Sequence, residues 1–91
     1  MANHVLKLAD PWWDRVKSGE KTAEIRRHDR DFQTGDTITF LHVPAGDAVA
    51  ASDGPRESMR ATITHVLPGN LLTYGIADDY CILSIKIKEA E

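Results

Sequence analysis

Two stretches in the second half of the chain alternate apolar and polar residues, and this pattern constrains the fold more than any other feature. The first spans residues 57–67 and the second residues 80–88. Because residues two apart on a strand share a face, each stretch predicts a half-buried antiparallel strand. The side chains expected to face the core are Met59, Ala61, Ile63, His65 and Leu67 in the first strand and Cys81, Leu83, Ile85 and Ile87 in the second.

Three segments in the first half of the chain also predict strands. Leu6 and Leu8 share a face of the first segment, and Ile38, Phe40 and His42 share a face of the third. The segments are residues 5–8, 21–27 and 37–43.

One short helix is expected between the first two strands. Asp10 is suited to cap its free N–H groups, Pro11 fits its first position, and Gly19 ends it. These signals predict a helix over residues 11–18. Its apolar stripe consists of Trp12, Trp13 and Val16.

The chain of 91 residues is long enough for a single domain, residues 1–91, with one modest core. One strand, one short helix and four further strands favour an α+β, mainly β barrel, because a parallel sheet needs helical crossovers. Residues 45–55 are small, polar and aperiodic, which is typical of a mobile surface loop.

The charged residues are unevenly distributed. The formal net charge is −3, which argues against tight binding to long nucleic acid through its phosphates. A local basic patch on an acidic protein suits a nucleotide, a nucleoside or a short RNA element better. Six of the eleven basic residues fall within sixteen positions: Arg15, Lys17, Lys21, Arg26, Arg27 and Arg30.

The segment from Gly19 to Arg26 contains the spacing G-x-K-x-x-E-x-R, formed by Gly19, Lys21, Glu24 and Arg26. On a strand, Glu24 and Arg26 share one face, and Ala23 and Ile25 are expected to face the core. The charges alone fit either a solvated ion-pair face or a ligand site with a carboxylate between two cations.

This spacing resembles the signature of the ASCH domains, which are small members of the PUA-like superfamily of RNA-binding β-barrels. Together with the F-x-x-G-D turn at residues 32–36, it is similar to an uncharacterised ASCH-like family of phages and bacteria. The resemblance covers residues 4–86. It implies a pseudo-β-barrel of five to six mostly antiparallel strands, with one short helix at the barrel opening.

The first functional hypothesis is a binding module for RNA, a nucleotide or a nucleoside. Lys21 and Arg26 would contact phosphate or base edges, and Glu24 would accept from an amino group. Successive helical residues lie about 100° apart, so one of Trp12 and Trp13 should be half exposed and able to stack on a base. The further candidate ligand-binding residues are Arg27, His28 and Tyr74.

The second hypothesis is a hydrolase. Some ASCH relatives are amidohydrolases of modified cytidine, in which the motif lysine matches Lys21 and a nucleophilic threonine stands at the position of Glu24. A carboxylate can serve as a general base but replaces that hydroxyl poorly. Other relatives cleave RNA, for which Lys21 and Glu24 would be the catalytic residues. The third hypothesis is a phage-type protein interaction module.

Several other chemistries are not expected. The four histidines have no zinc-binding spacing, and no glycine-rich phosphate loop is present, so neither a metal nor a cofactor is predicted. Cys81 is the only cysteine, so it has no disulfide partner within the chain. The sequence shows no signal peptide or membrane span, which predicts a cytoplasmic location.

Overall fold

The computed structural model describes residues 1–45 and 56–88, which form five strands and two short helices. The predicted loop at 45–55 therefore lies, apart from Ala45, outside the described residues. The elements are β1 (Asn3–Ala9), α1 (Trp12–Lys17), β2 (Ala23–Arg27), β3 (Thr37–Val43), β4 (Ser58–Asn70), α2 (Leu71–Tyr74) and β5 (Ile76–Ile87).

The five strands form one sheet in the order β1-β3-β4-β5-β2, which curls into a half-barrel. Three of the four neighbouring pairs are antiparallel, and β1 pairs with β3 in parallel. The prediction of a mainly β pseudo-barrel is confirmed. β1 and β2 are the two edges of the sheet, and the position of those edges matters for the site described below.

The core occupies the inner face of the curled sheet. The helix predicted over residues 11–18 is confirmed as α1, which packs on β1 and buries Trp13 and Val16. Within residues 1–45 and 56–88, no helix is long and apolar enough to cross a membrane. The sheet contributes Leu6, Leu8, Ile38, Phe40, Ala61, Ile63, Cys81, Leu83 and Ile85, and Phe32 joins them from a loop.

The predicted cap of α1 is wrong. Pro11 occupies the N-cap position, and no side chain of the described residues caps the helix. The Asp10 carboxylate instead accepts hydrogen bonds from His42 Nε2 at 2.8 Å and from the Ala45 N–H at 3.0 Å. Asp10 therefore ties the end of β1 to the end of β3, and the helix depends on its buried face rather than on a cap.

The predicted orientation of β2 is also wrong. Ile25 is 65% exposed, whereas Glu24 is buried opposite Leu83 on the inner face. Period-two alternation decides which residues share a face but not which face is inside. Here the charged face points inward because Glu24 has cationic partners, as described below.

A β-bulge changes the facing of β4 halfway along the strand. Ile63 lies opposite Ile85, but His65 lies opposite the next residue of β5, Ser84, so Thr64 is the extra residue. His65 and Leu67 consequently face outward, contrary to the prediction, and Val66 packs against the core.

β4 continues to Asn70, and α2 makes the connection to β5. Gly69 lies where the two strands approach closely. A Cβ atom built there would be 2.0 Å from the Ala77 carbonyl oxygen and 2.5 Å from that of Tyr80. Only glycine fits this position without moving a strand.

The buried Asp36 carboxylate joins the start of β1 to the turn before β3. It accepts hydrogen bonds from His4 Nε2 at 2.8 Å, from the Ala2 N–H at 3.1 Å and from the Gln33 N–H at 3.0 Å. The hydrogen bond from His4 is the main reason that the pKa of Asp36 lies below its ordinary value.

We expect Gly69→Ala to lower the free energy of unfolding by more than about 2 kcal/mol, because the new methyl group collides with backbone. Gly75→Ala is the control: Gly75 has φ +72°, but no atom of the described residues lies within 4 Å of the added Cβ. It should lose about 1 kcal/mol from backbone strain alone. Urea denaturation measures both, and an equal or smaller loss for Gly69→Ala would contradict the close approach.

We expect Asp36→Asn to make the free energy of unfolding depend less on pH in the acidic range. Because the folded-state pKa of Asp36 is depressed, its stabilisation is present above the ordinary carboxylate pKa and is lost as pH falls through the folded value. The variant should be less stable at neutral pH and should lose less on acidification from about pH 5 to about pH 2. Asp14→Asn, at an exposed position of α1, is the control for the loss of an acidic side chain.

Candidate functional site

Glu24 is a buried acid on the inner face of edge strand β2, and its carboxylate lies between two cations. Its side chain is 7% exposed. Lys21 Nζ donates to Glu24 Oε1, while Arg26 Nε and Nη2 lie 3.0 and 2.9 Å from Glu24 Oε2. Both oxygens are therefore engaged. We call Lys21, Glu24 and Arg26 the charged cluster.

The turn after α1 places Lys21. Gly19 adopts φ +84°, its N–H donates to the Val16 carbonyl, and the Lys21 N–H donates to the Arg15 carbonyl at 2.9 Å. This turn directs the lysine ammonium back to the Ala23 carbonyl and to Glu24. The convergence of the three charged groups, which the spacing predicts, is found in the structure.

Arg26 also connects the two edges of the sheet. Its Nη2 donates to the Lys7 carbonyl of β1 at 2.9 Å, and its guanidinium carbon lies 5.9 Å from the centroid of the Phe40 ring. Arg30 Nη1 donates to the Val5 carbonyl at 3.3 Å. We call this gap between β1 and β2, which Arg26 and Arg30 bridge, the seam.

A cleft of about 360 Å³ opens along the seam, and we call it the seam cleft. Its lining combines four basic side chains, one acidic side chain and an apolar wall. The lining residues are Lys7, Arg26, Arg27, Arg30, Asp29, Val5, Leu6 and Phe32.

A second cleft, of about 320 Å³, lies between the end of α1 and β5, and we call it the lysine cleft. Its lining includes Lys17, Lys21 and Lys86 and, among residues 1–45 and 56–88, no acidic residue. The structure therefore divides the predicted basic patch between two clefts, each of which shares one cation with the charged cluster. Arg15 lies apart and pairs with Glu20 at 3.5 Å.

The two adjacent tryptophans have different environments, as predicted. Trp12 is 48% exposed, whereas Trp13 is buried and its ring stacks on His42 with centroids 4.5 Å apart. Neither residue lines the seam cleft or the lysine cleft. Tyr74 is half exposed in α2, which packs on β4 and β5, and it lines neither cleft.

His28 is exposed next to the seam cleft. Its ring stacks on that of Phe32 with centroids 6.2 Å apart, and Phe32 contributes to the cleft wall. An aromatic surface thus adjoins Arg27 and Arg30. The sequence indicated His28 only through its place in the basic turn, and nothing in the spacing indicated its contact with Phe32.

Four basic residues of the two clefts were not predicted as site residues: Lys7, Lys17, Arg30 and Lys86. Lys17 is the last residue of α1. Lys7 and Lys86 belong to strands far in sequence from the motif, and Arg30 belongs to the loop after it. Only tertiary pairing brings them together, so local spacing carries no signal for Lys7 or Lys86.

Two other potentially reactive side chains, His42 and Cys81, have contacts or burial that fit a structural role. His42 Nδ1 lies 3.6 Å from Glu57, and its Nε2 donates to Asp10, which lowers the pKa of that carboxyl group. Cys81 is buried, and burial raises the pKa of its thiol, which disfavours the nucleophilic thiolate. Across residues 1–45 and 56–88, no group of three or more His, Cys, Asp or Glu side chains could hold a metal ion.

Comparison with known proteins gives a family but no function. A family model described as a domain of unknown function, DUF3850, matches residues 3–85, which include the whole charged cluster and the seam cleft. No curated protein matches the chain. Because the family model spans most of its length, the chain belongs to the DUF3850 family.

Proposed function

We propose that this protein binds nucleotides or single-stranded RNA at the charged cluster and the clefts on either side of it. The observation that carries the proposal is the distribution of positive charge. Seven of the eleven basic residues line the two clefts, although the whole chain has a net charge of −3. Concentrating cations in this way favours an anionic ligand over non-specific attraction to long nucleic acid.

The buried carboxylate adds directionality to this site. An ionised carboxylate has about four acceptor positions. Lys21 and Arg26 occupy most of those of Glu24, which leaves room for one further donor, such as the exocyclic amino group of a base. The exposed His28 ring, which stacks on the buried ring of Phe32, is suited to stacking on a base.

The resemblance of G-x-K-x-x-E-x-R to the ASCH signature supports the same class of ligand. Because both oxygens of Glu24 already accept from cations, the residue is better suited to positioning a ligand than to acting as a base or nucleophile. The absence of a threonine at this position also favours binding over amidohydrolase chemistry.

We expect ribonucleotides or short single-stranded RNAs to raise the melting temperature of the wild-type protein in a thermal-shift screen. Lys21→Ala should weaken binding by about tenfold or more, because it removes a charge-assisted contact. Arg60→Ala is the matched control, since Arg60 is exposed on β4 and lines neither cleft. If no nucleoside, nucleotide or RNA binds the wild type, the proposed function is wrong.

We expect Glu24→Gln to lose both binding and some stability. The amide keeps the shape of the side chain but leaves Lys21 and Arg26 without their counter-ion. Because those cations are partly exposed, the cost should be about 1–2 kcal/mol, less than for a fully buried pair. Glu20→Gln, an exposed acid in the preceding turn, should change stability by less than about 0.5 kcal/mol.

A folded Glu24→Gln protein that binds as tightly as the wild type would make the charged cluster a structural ion-pair network. Denaturation with urea and titration with the best RNA or nucleotide from the screen distinguish these outcomes.

A further inference from the structure

We infer, building on the proposed nucleotide-binding function, that the seam cleft is the subsite for the phosphate group. In this inference Arg27 and Arg30 hold a phosphomonoester or phosphodiester, and the charged cluster contacts the nucleoside part of the ligand. The protein would thus recognise phosphorylated nucleotides rather than free nucleosides.

The first argument is the weak engagement of the two arginines. Arg27 is 64% exposed and its Nη1 lies 4.0 Å from the Asp79 carboxylate. Arg30 is 42% exposed, with Nε 3.5 Å from the Asp29 carboxylate and Nη1 3.3 Å from the Val5 carbonyl oxygen. These polar distances lie at or beyond the long limit of a hydrogen bond. Arg27 also has a cation–π contact, with its guanidinium carbon 5.6 Å from the centroid of the Tyr80 ring, which does not use its N–H groups. A phosphate offers shorter, bidentate contacts to a guanidinium.

Arg26 differs from its two neighbours, because it already has close partners. Its guanidinium is held by Glu24 at 2.9 and 3.0 Å and by the Lys7 carbonyl at 2.9 Å. It therefore forms the fixed inner wall of the seam cleft, whereas Arg27 and Arg30 are the cations able to move onto an anion.

The lysine cleft is the rival location for the phosphate, and three features disfavour it. Lysine lacks the planar fork of arginine, which matches two phosphate oxygens at once. The cleft lies at the carbonyl end of α1, where the backbone potential is unfavourable for anions. The N–H groups of Ser18, Gly19 and Lys21 nearby already donate to backbone carbonyls.

The aromatic neighbours place a nucleotide rather than inorganic phosphate at the seam cleft. Phe32 lines the seam cleft, and the exposed His28 ring stacks on the Phe32 ring. A base that packs against the His28 ring would leave its phosphate within the same cleft as Arg27 and Arg30. Val5, whose carbonyl oxygen Arg30 would release on turning to the phosphate, is half exposed.

The test compares the four ribonucleosides with their 5′-monophosphates and with inorganic phosphate, titrated calorimetrically at low and at moderate salt. We expect the monophosphates to bind about tenfold or more tightly than the nucleosides, with a preference that shrinks as salt screens the charges. Arg30→Ala and Arg27→Ala should each bring the affinity for a monophosphate to within about twofold of the same variant's affinity for the nucleoside. Arg30→Lys should retain only part of it.

Three outcomes overturn the inference without touching the proposed function. The first outcome is that nucleosides and monophosphates bind with equal affinity. The second is that Arg30→Ala and Arg27→Ala leave the preference for the monophosphate intact. The third is that Lys86→Ala, in the lysine cleft, removes this preference instead. Arg60→Ala should leave the preference at the wild-type value. If inorganic phosphate binds as tightly as the monophosphates, His28 and Phe32 do not contribute to binding. Failure of every nucleoside, nucleotide and RNA to bind would instead refute the proposed function itself.

Discussion

The pairing of a buried carboxylate with two cations is the interaction on which the rest of this structure depends. An ionised group inside a small protein is tolerated only with close partners of opposite charge. Glu24 therefore requires Lys21, which the turn after α1 supplies, and Arg26, which lies two residues along the strand. Arg26 in turn reaches the opposite edge of the sheet, so side chains rather than a backbone ladder close the half-barrel.

The fold class, the strands and the short helix could be predicted because hydrophobic alternation and helix-ending residues are local signals. The face of β2 that points inward could not be predicted, because alternation does not distinguish the two faces of a strand. The usual preference for burying apolar residues is overridden here by the ion pairs of Glu24. The direction in which the side chains of β4 point after Thr64 could not be predicted either, because one extra residue reverses it for every residue that follows. The amino-acid composition of the strand does not reveal this bulge.

The charged cluster was predictable for a different reason: its three members lie within six residues, so strand geometry and one turn bring them together. The clefts were not predictable from such spacing. Their lining combines β1, the loop after β2, α1 and β5, and those contacts depend on the register of pairs distant in sequence. The contribution of Trp12, Trp13 and Tyr74 to ligand binding stays a prediction.

The order of strands in the sheet has a consequence for how the molecule assembles. β4 and β5 join through a four-residue helix and pair residues as near in sequence as Asn70 and Ile76. β2, by contrast, must find β5 across most of the chain, with Arg27 opposite Tyr80. Because closing long loops costs entropy before contacts repay it, we expect the hairpin to form early and the junction of the two edges to form last. The proposed ligand site would then form last during folding and open first in local fluctuations.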